Sequence, residues 1–320
     1  MALAALLIAV ITLPLSSPAR GELTIIEHPV EASRPLRLLV IGDWGRKGRY
    51  NQSGVAKQMG KVAEDVSIDM VVSTGDNFLD DGLASVDDKA FHESFVDVYT
   101  AKSLQKPWYL GNVDFFFVDT SPFQLKYWTD PGEDHYDWRE VAPREAYIEN
   151  LLKDLDTAMK RSRATWKVAV GHHTMRSVSS HGDTQELLQL LLPVLKDNSI
   201  DLYINGHDHC LEHISSRDSC SPIQYFTSGG GSKAWRGVFR PNDDKLEFFY
   251  DGQGFMSLEV DGDLARAVFY DIDGQALHSW SLSKSRRLQV DQPPICSCSS
   301  KIRSCSSNLD AKSIYAVSSS

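Results

Sequence analysis

The sequence has no clustered basic face: Lys and Arg number 33 against 43 Asp and Glu, for a net charge of −10. Nucleic-acid binding needs a basic footprint, so no nucleic-acid partner is expected. An anionic small substrate stays open, because bound metal ions can dominate a local field whatever the global charge. Beyond the first twenty residues no apolar run reaches membrane length. The leading run, Ala2 to Leu15, is followed by Ser17-Pro18-Ala19 and reads as a secretory signal over residues 1–21. Its n-region carries no positive charge, and a short N-terminal membrane anchor is the other reading. Cysteine is scarce: five residues in 320, none before Cys210. A pairing of Cys210 with Cys220 is open in an oxidising compartment, with an odd thiol left over. Cys296, Cys298 and Cys305 fall in a Ser-rich stretch with no fourth ligand for a zinc knuckle.

What is present is an ordinary globular composition, 42% hydrophobic, long enough for a sizeable core. Four short apolar runs end in glycine or polar residues. They are Leu38 to Ile41 before Gly42-Asp43, Met70 to Val72 before Ser73-Thr74-Gly75-Asp76, Lys167 to Val170 before Gly171-His172-His173, and Leu202 to Ile204 before Asn205-Gly206-His207. Such runs read as buried strands. Helices fit Gln52 to Asp65, Pro143 to Met159 and Thr184 to Lys196. Strands alternating with helices imply an α/β fold, with ligands collecting past the carboxyl ends of the strands. After about Pro222 shorter strands follow, at Gln224 to Thr227, Leu246 to Tyr250, Phe255 to Val260 and Leu264 to Tyr270. They read as an antiparallel closing half of one domain spanning residues 22–285. Residues 286–320 read as a disordered tail.

Two carboxylates and three imidazoles fall at those strand ends: Asp43, Asp76, His172, and the pair His207 and His209 of Gly206-His207-Asp208-His209. On an extended segment the last two would point the same way, toward one metal or two neighbouring ones. Each residue alone would be an ordinary turn aspartate or strand-end histidine. Together they form a mixed O/N donor set suited to iron, zinc or manganese rather than calcium or magnesium. Asn51-Gln52-Ser53 is a candidate N-glycosylation site at Asn51.

The blocks Gly42-Asp43-Trp44-Gly45, Gly75-Asp76-Asn77-Phe78, Val170-Gly171-His172-His173 and Gly206-His207-Asp208-His209 resemble those of the purple acid phosphatases, nearest the small single-domain type. Asp81-Gly82-Leu83, Phe115 to Asp119 and Thr227 to Ala234 also resemble the plant members. The resemblance implies a metallophosphoesterase-type β-sandwich flanked by helices (αββα), and hydrolysis of phosphate monoesters by hydroxide held at a binuclear metal centre. It places Asp43, Asp76 and His209 around a ferric ion. His172 and His207 would hold a divalent iron, zinc or manganese, with Asp76 bridging and Asn112 reaching the divalent ion. His181 matches a family histidine facing the substrate, where it would bind phosphate or protonate the leaving oxygen; a solvated loop histidine is the alternative. His173 and His213 read as supporting or surface groups. A small phosphate ester is the expected partner, with no membrane after signal removal and a secretory route to the extracellular space or vacuole.

Two departures from the family pattern stand out. Leu79 occupies the place of the tyrosine whose phenolate colours the ferric site, so the chain should not be purple. The family's Gly-Asn-His-Asp block is cut short: Gly111-Asn112 runs straight into Val113-Asp114-Phe115, an apparent internal deletion of several dozen residues near Asn112, with Asp114 beginning the next strand. An active acid phosphatase and an impaired splice-type variant that only binds metal or phosphate are therefore the two main readings. A phosphodiesterase or nuclease of the same superfamily is the third.

Overall fold

The computed structural model describes residues 34–284, apart from 80–81, 86, 109–113, 131, 133–135, 140 and 216–222, together with the strand pairs 24–25 and 315–316. In chain order the strands are β1 (Thr24–Ile25), β2 (Leu36–Ile41), β3 (Met70–Ser73), β4 (Asp114–Phe117), β5 (Lys167–Val170), β6 (Leu202–Asn205), β7 (Leu211–Ser215), β8 (Gln224–Ser228), β9 (Lys245–Tyr250), β10 (Gly254–Asp261), β11 (Leu264–Asp271), β12 (Ala276–Ser283) and β13 (Tyr315–Ala316). The α-helices are α1 (Gln52–Val66), α2 (Lys89–Phe91), α3 (Leu125–Thr129), α4 (Arg144–Arg161) and α5 (Leu192–Asp197).

The strands form two sheets, ordered β1-β13-β4-β5-β6-β8-β7-β9 and β12-β11-β10-β2-β3. Alternation along each strand explains why they stack. In β2, Leu38 and Val40 face the space between the sheets with Phe115, Val168, Val170, Ile204, Phe226 and Met256. Leu39 and Ile41 point outward onto Val55, Met59, Val62 and Ala63 of α1. Phe116, Ala169 and Tyr203 of the larger sheet pack outward against Ile148, Leu151 and Leu155 of α4 and Leu195 of α5. The result is helix, sheet, sheet, helix, as the αββα expectation has it. Spacing of i, i+4, i+7 and i+8 puts the four apolar residues of α1 on one stripe, so the helix covers its sheet without burying charge.

Two expectations change. The four strand ends do not share one sheet. Asp43 and Asp76 follow the parallel pair β2 and β3, whereas His172 and His207 follow the parallel pair β5 and β6 of the other sheet. The closing half is also mixed: β8 lies parallel to β6, and only β7 and β9 to β12 run antiparallel to their neighbours. Asp114 does begin a strand, β4, parallel to β5. Trp108 bridges Val71 at the edge of the smaller sheet, so the chain changes sheets between Trp108 and Asp114. Asn112, residues 1–21 and the Ser-rich stretch up to Asn308 lie outside the described residues. Of the segment 286–320 only Tyr315–Ala316 is described, paired parallel to β4. Cys210 is buried with a free thiol, so the pairing with Cys220 is not formed.

Candidate metal centre

The site forms where the carboxyl ends of both sheets meet. Asp43 takes φ 61° and Asp76 φ 49°, so each chain turns sharply as its strand ends. Gly75, at φ +113°, lies so close to His172 that a Cβ there would sit 2.7 Å from Nδ1; only glycine lets the two sheets approach this closely. The segment after β8 ties them together: Ser228 Oγ donates to Val40 O, Gly231 N to Gly42 O and Ser232 Oγ to Asp43 O.

Donor atoms of Asp43, Asp76 and His172 all lie within 4.8 Å of one another, as do those of His172, His173 and His207. His172 joins the groups. Its Nε2 is 3.4 Å from Asp76 Oδ1 and 3.2 Å from His207 Nδ1, while its Nδ1 contacts Thr74 O at 3.2 Å. His209 Nε2 approaches Asp43 Oδ1 at 3.4 Å, and the backbone N–H of His207 donates to Asp43 Oδ2. Asp76 is 42% exposed and open to a ligand, whereas Asp43 is fully buried. Burial raises the Asp43 carboxyl above its ordinary range, against the pull of His209 and His172. Burial and neighbouring imidazoles push His207 well below 6.5, so it stays neutral, the form a metal takes.

The extended-segment picture of His207 and His209 is corrected. β6 ends at Asn205, His207 has φ 69°, and Asp208 N and Cys210 N donate to Gly206 O and Asp208 O, two successive three-residue turns. His207 is thereby turned toward His172 and His209 toward Asp43. His173 is buried beside His207, ring centroids 4.5 Å apart, but both its nitrogens are engaged, by Thr120 Oγ1 at 2.8 Å and Tyr127 OH at 2.9 Å. It buttresses the cluster. His181 stacks on His207 at 4.0 Å and directs Nδ1 to Asp208 Oδ1 at 2.8 Å. Asp208, unremarked in the sequence, is buried and also receives Ser177 Oγ, Ser180 Oγ and the His181 backbone N–H. His213 is no surface group: it pairs with His278 at 3.0 Å between β7 and β12, away from the cluster. Asn51 is exposed at the entry to α1.

Whether a metal pair suits these residues can be judged from their unsatisfied atoms. Asp43 Oδ1 and His209 Nδ1 are buried and make no hydrogen bond. A buried carboxylate oxygen left so costs several kcal/mol by order of magnitude, and a cation relieves it. With two carboxylates and three imidazoles drawn together, the donor set fits mixed O/N transition-metal coordination.

Comparisons with known proteins show the family. The family pattern described as calcineurin-like phosphoesterase matches residues 36–211. Purple acid phosphatase 7 of Arabidopsis thaliana is 50% identical over 305 residues, covering 83% of this chain and 92% of that protein. Purple acid phosphatase 4 of the same plant is 46% identical over 316 residues, covering 87% and 93%. For purple acid phosphatase 7 the match runs over 305 positions while 83% of this 320-residue chain is only about 266, so that relative carries residues within the matched span that this chain lacks. The solved structure of a purple acid phosphatase from yellow lupin (Lupinus luteus) seeds superposes with a TM-score of 0.60 at 16% identity, covering 87% of this chain and 58% of that one. That likeness speaks for the fold.

Proposed function

The chain belongs to the calcineurin-like phosphoesterases, and among them to the purple acid phosphatases, and from that premise we propose that the cluster between the sheets is the binuclear centre at which it hydrolyses phosphate monoesters. One observation carries the assignment: donor atoms of Asp43, Asp76 and His172 lie within 4.8 Å of one another, His207 adjoins His172 and His209 adjoins Asp43, and Asp43 Oδ1 and His209 Nδ1 are buried without a hydrogen bond. Asp43, Asp76 and His209 would hold a ferric ion. His172 and His207 would hold a divalent iron, zinc or manganese, Asp76 bridging from its open position, with Asn112 a further donor. When bound, such a pair polarises the phosphoryl oxygens and acidifies water near neutrality.

The protein's own residues do the rest. Thr120 Oγ1 accepts the backbone N–H groups of both His172 and His173, fixing the loop that carries His172. His181, tethered through Nδ1 by Asp208, keeps Nε2 for the phosphate or for donating a proton to the leaving oxygen. Leu79 offers no donor, so the loaded protein should show no phenolate-to-iron colour. Among the described residues no helix is long and apolar enough to cross a membrane. The N-terminal leader and the exposed Asn51 sequon support a secreted or vacuolar glycoprotein. The deciding experiment is phosphate release from an aryl phosphate near pH 5 by iron- and zinc-loaded protein. Turnover is expected and should vanish in His207→Ala; a fully active variant would remove the centre from the mechanism.

A further inference from the structure

A cavity of about 480 Å³ opens on the outer side of α1, between that helix and the short 3₁₀ turn Lys102–Leu104. Close packing shapes its floor. Gly60 lies so near Ala101 that a Cβ there would sit 2.5 Å from the alanine Cβ, and Ser103 Oγ donates to Gly60 O at 2.6 Å. Four exposed lysines line the cavity: Lys57 and Lys61 from the helix, Lys102 and Lys106 from the facing segment. Among the described residues Glu64 is the one carboxylate in the lining. The two lysine pairs are far apart in sequence, so no basic run announces them; the packing of α1 brings them together.

The cavity is separate from the metal cluster. β2 and β3 are parallel, so α1, which joins them, runs back from their carboxyl ends toward their amino ends. Ser67 and Ile68, both in the lining, stand just before β3, a strand roughly 10 Å long whose far end leads to Asp76. None of Asp43, Asp76, His172, His207 and His209 lines the cavity.

Missing neutralisation sets these lysines apart from ordinary surface charge. Elsewhere Lys47 pairs with Glu93 at 2.7 Å, Lys284 with Asp201 at 2.7 Å and Arg236 with Asp251 at 3.1 Å. None of the four lysines forms an ion pair with a described residue, and neither does Glu64. Carboxylates are in surplus, 43 acidic residues against 33 basic, so partners were not scarce. Lys57 and Lys61 stand four residues apart on α1, a spacing at which like charges oppose the helix, and Lys102 and Lys106 add to the same field. Four positive charges against one negative around a concave surface, in a chain of net charge −10, make a local attractor for anions.

We propose that this cavity is a binding site for a compact polyanion, a small molecule carrying several phosphate groups, independent of the reaction at the metal centre. Its volume falls within the range of small-molecule pockets. Lysine ammonium groups bind phosphate as point charges on flexible stems, so four of them around one cavity suit several charges spread over one skeleton. Binding also relieves the repulsion among the lysines, which the empty cavity leaves uncompensated.

The test is calorimetric binding of myo-inositol hexakissulfate to the metal-loaded chain, a probe whose sulfate esters are not phosphate esters for the centre to hydrolyse. Each exposed ionic contact is worth up to a few-fold in affinity. Lys57→Gln/Lys61→Gln and Lys102→Gln/Lys106→Gln should therefore each raise Kd about tenfold, and the arginine counterparts should restore it. Glu64→Gln, which removes the opposing charge, should lower Kd about twofold. Lys153→Gln/Lys160→Gln on α4 takes the same charge from another exposed face and should leave Kd unchanged; a loss there equal to that at the cavity would mean general attraction and overturn the site. His207→Ala should also bind the probe as the native chain does. Binding lost in His207→Ala but kept in both cavity variants would place the probe on the metal centre and overturn the site. No binding to the native chain would overturn it too. Thermal melting of each variant confirms that the fold is retained.

Discussion

Asp208 stands between two candidate metal ligands in the sequence, yet its carboxylate turns away from both and receives the Nδ1 face of His181. Burial works against its charge, but hydrogen bonds from His181 and Ser177 prevail and hold the carboxyl below its ordinary range. In the role proposed for His181, a charged acceptor behind the ring fixes both its orientation and its tautomer. Asp208→Asn should therefore lower kcat by about 10²-fold for alkyl phosphates, within the range for general acids. Aryl phosphates, whose leaving oxygen needs little protonation, should lose much less. Equal losses for both classes would mean that Asp208 serves the fold alone. The residue types of the centre were legible in the sequence because Gly-Asp and Gly-His endings mark strand tips. Their pairing was not, because His207 faces His172 only through a left-handed turn that no periodicity encodes.

At the scale of elements, the ends of β2 and β6 must nearly touch for Asp43 to meet His207. Gly206 makes that possible: a Cβ there would lie 2.4 Å from Asp43 Oδ2 and 2.7 Å from Thr74 Oγ1. Gly206→Ala should cost about 1–3 kcal/mol through overpacking and lower the bound metal as Asp43 is displaced. Differential scanning calorimetry and elemental analysis of the variant check both; unchanged melting temperature and metal content would refute the close approach. Apolar runs bounded by glycine placed β2, β3, β5 and β6 within two residues, and α1 and α4 followed from their apolar stripes. β7 and β12 escaped notice for different reasons. Leu211–Ser215 carries buried Glu212 and His213 in its pattern, and Ala276–Ser283 alternates on a half-exposed edge strand with serines outward. Which strand joined which sheet was equally hidden, since parallel strands buried on both faces read alike.

Across the whole molecule, two buried groups outside the metal cluster set opposing pH dependences. Glu212 in β7 accepts the Val178 N–H at 2.7 Å, yet burial, reinforced by the nearby Asp208 charge, pushes its carboxyl up to about 8. In the unfolded chain a glutamate ionises near 4.3. The native state thus retains a proton that the unfolded state has lost, and stability from this group is full below about 4.3 and declines as pH rises through about 8. His213 works the other way. Burial depresses it to about 4, so the unfolded chain binds the extra proton and stability falls as pH drops from about 6.5 through 4. His213 sits on β7 of one sheet and His278 on β12 of the other, so acid protonation strains the contact between the two layers. Together these groups place the stability maximum in mild acid, where an acid phosphatase would work. Glu212→Gln removes the first dependence and leaves the second. The melting temperature of the variant should fall less than that of the native chain between pH 6 and pH 8.5, and fall more than it between pH 6 and pH 4.5, where the native Glu212 offsets the loss from His213. Parallel curves above pH 6 would show that Glu212 is ionised in the folded protein, and the buried network behind the centre would then carry a charge in place of a proton.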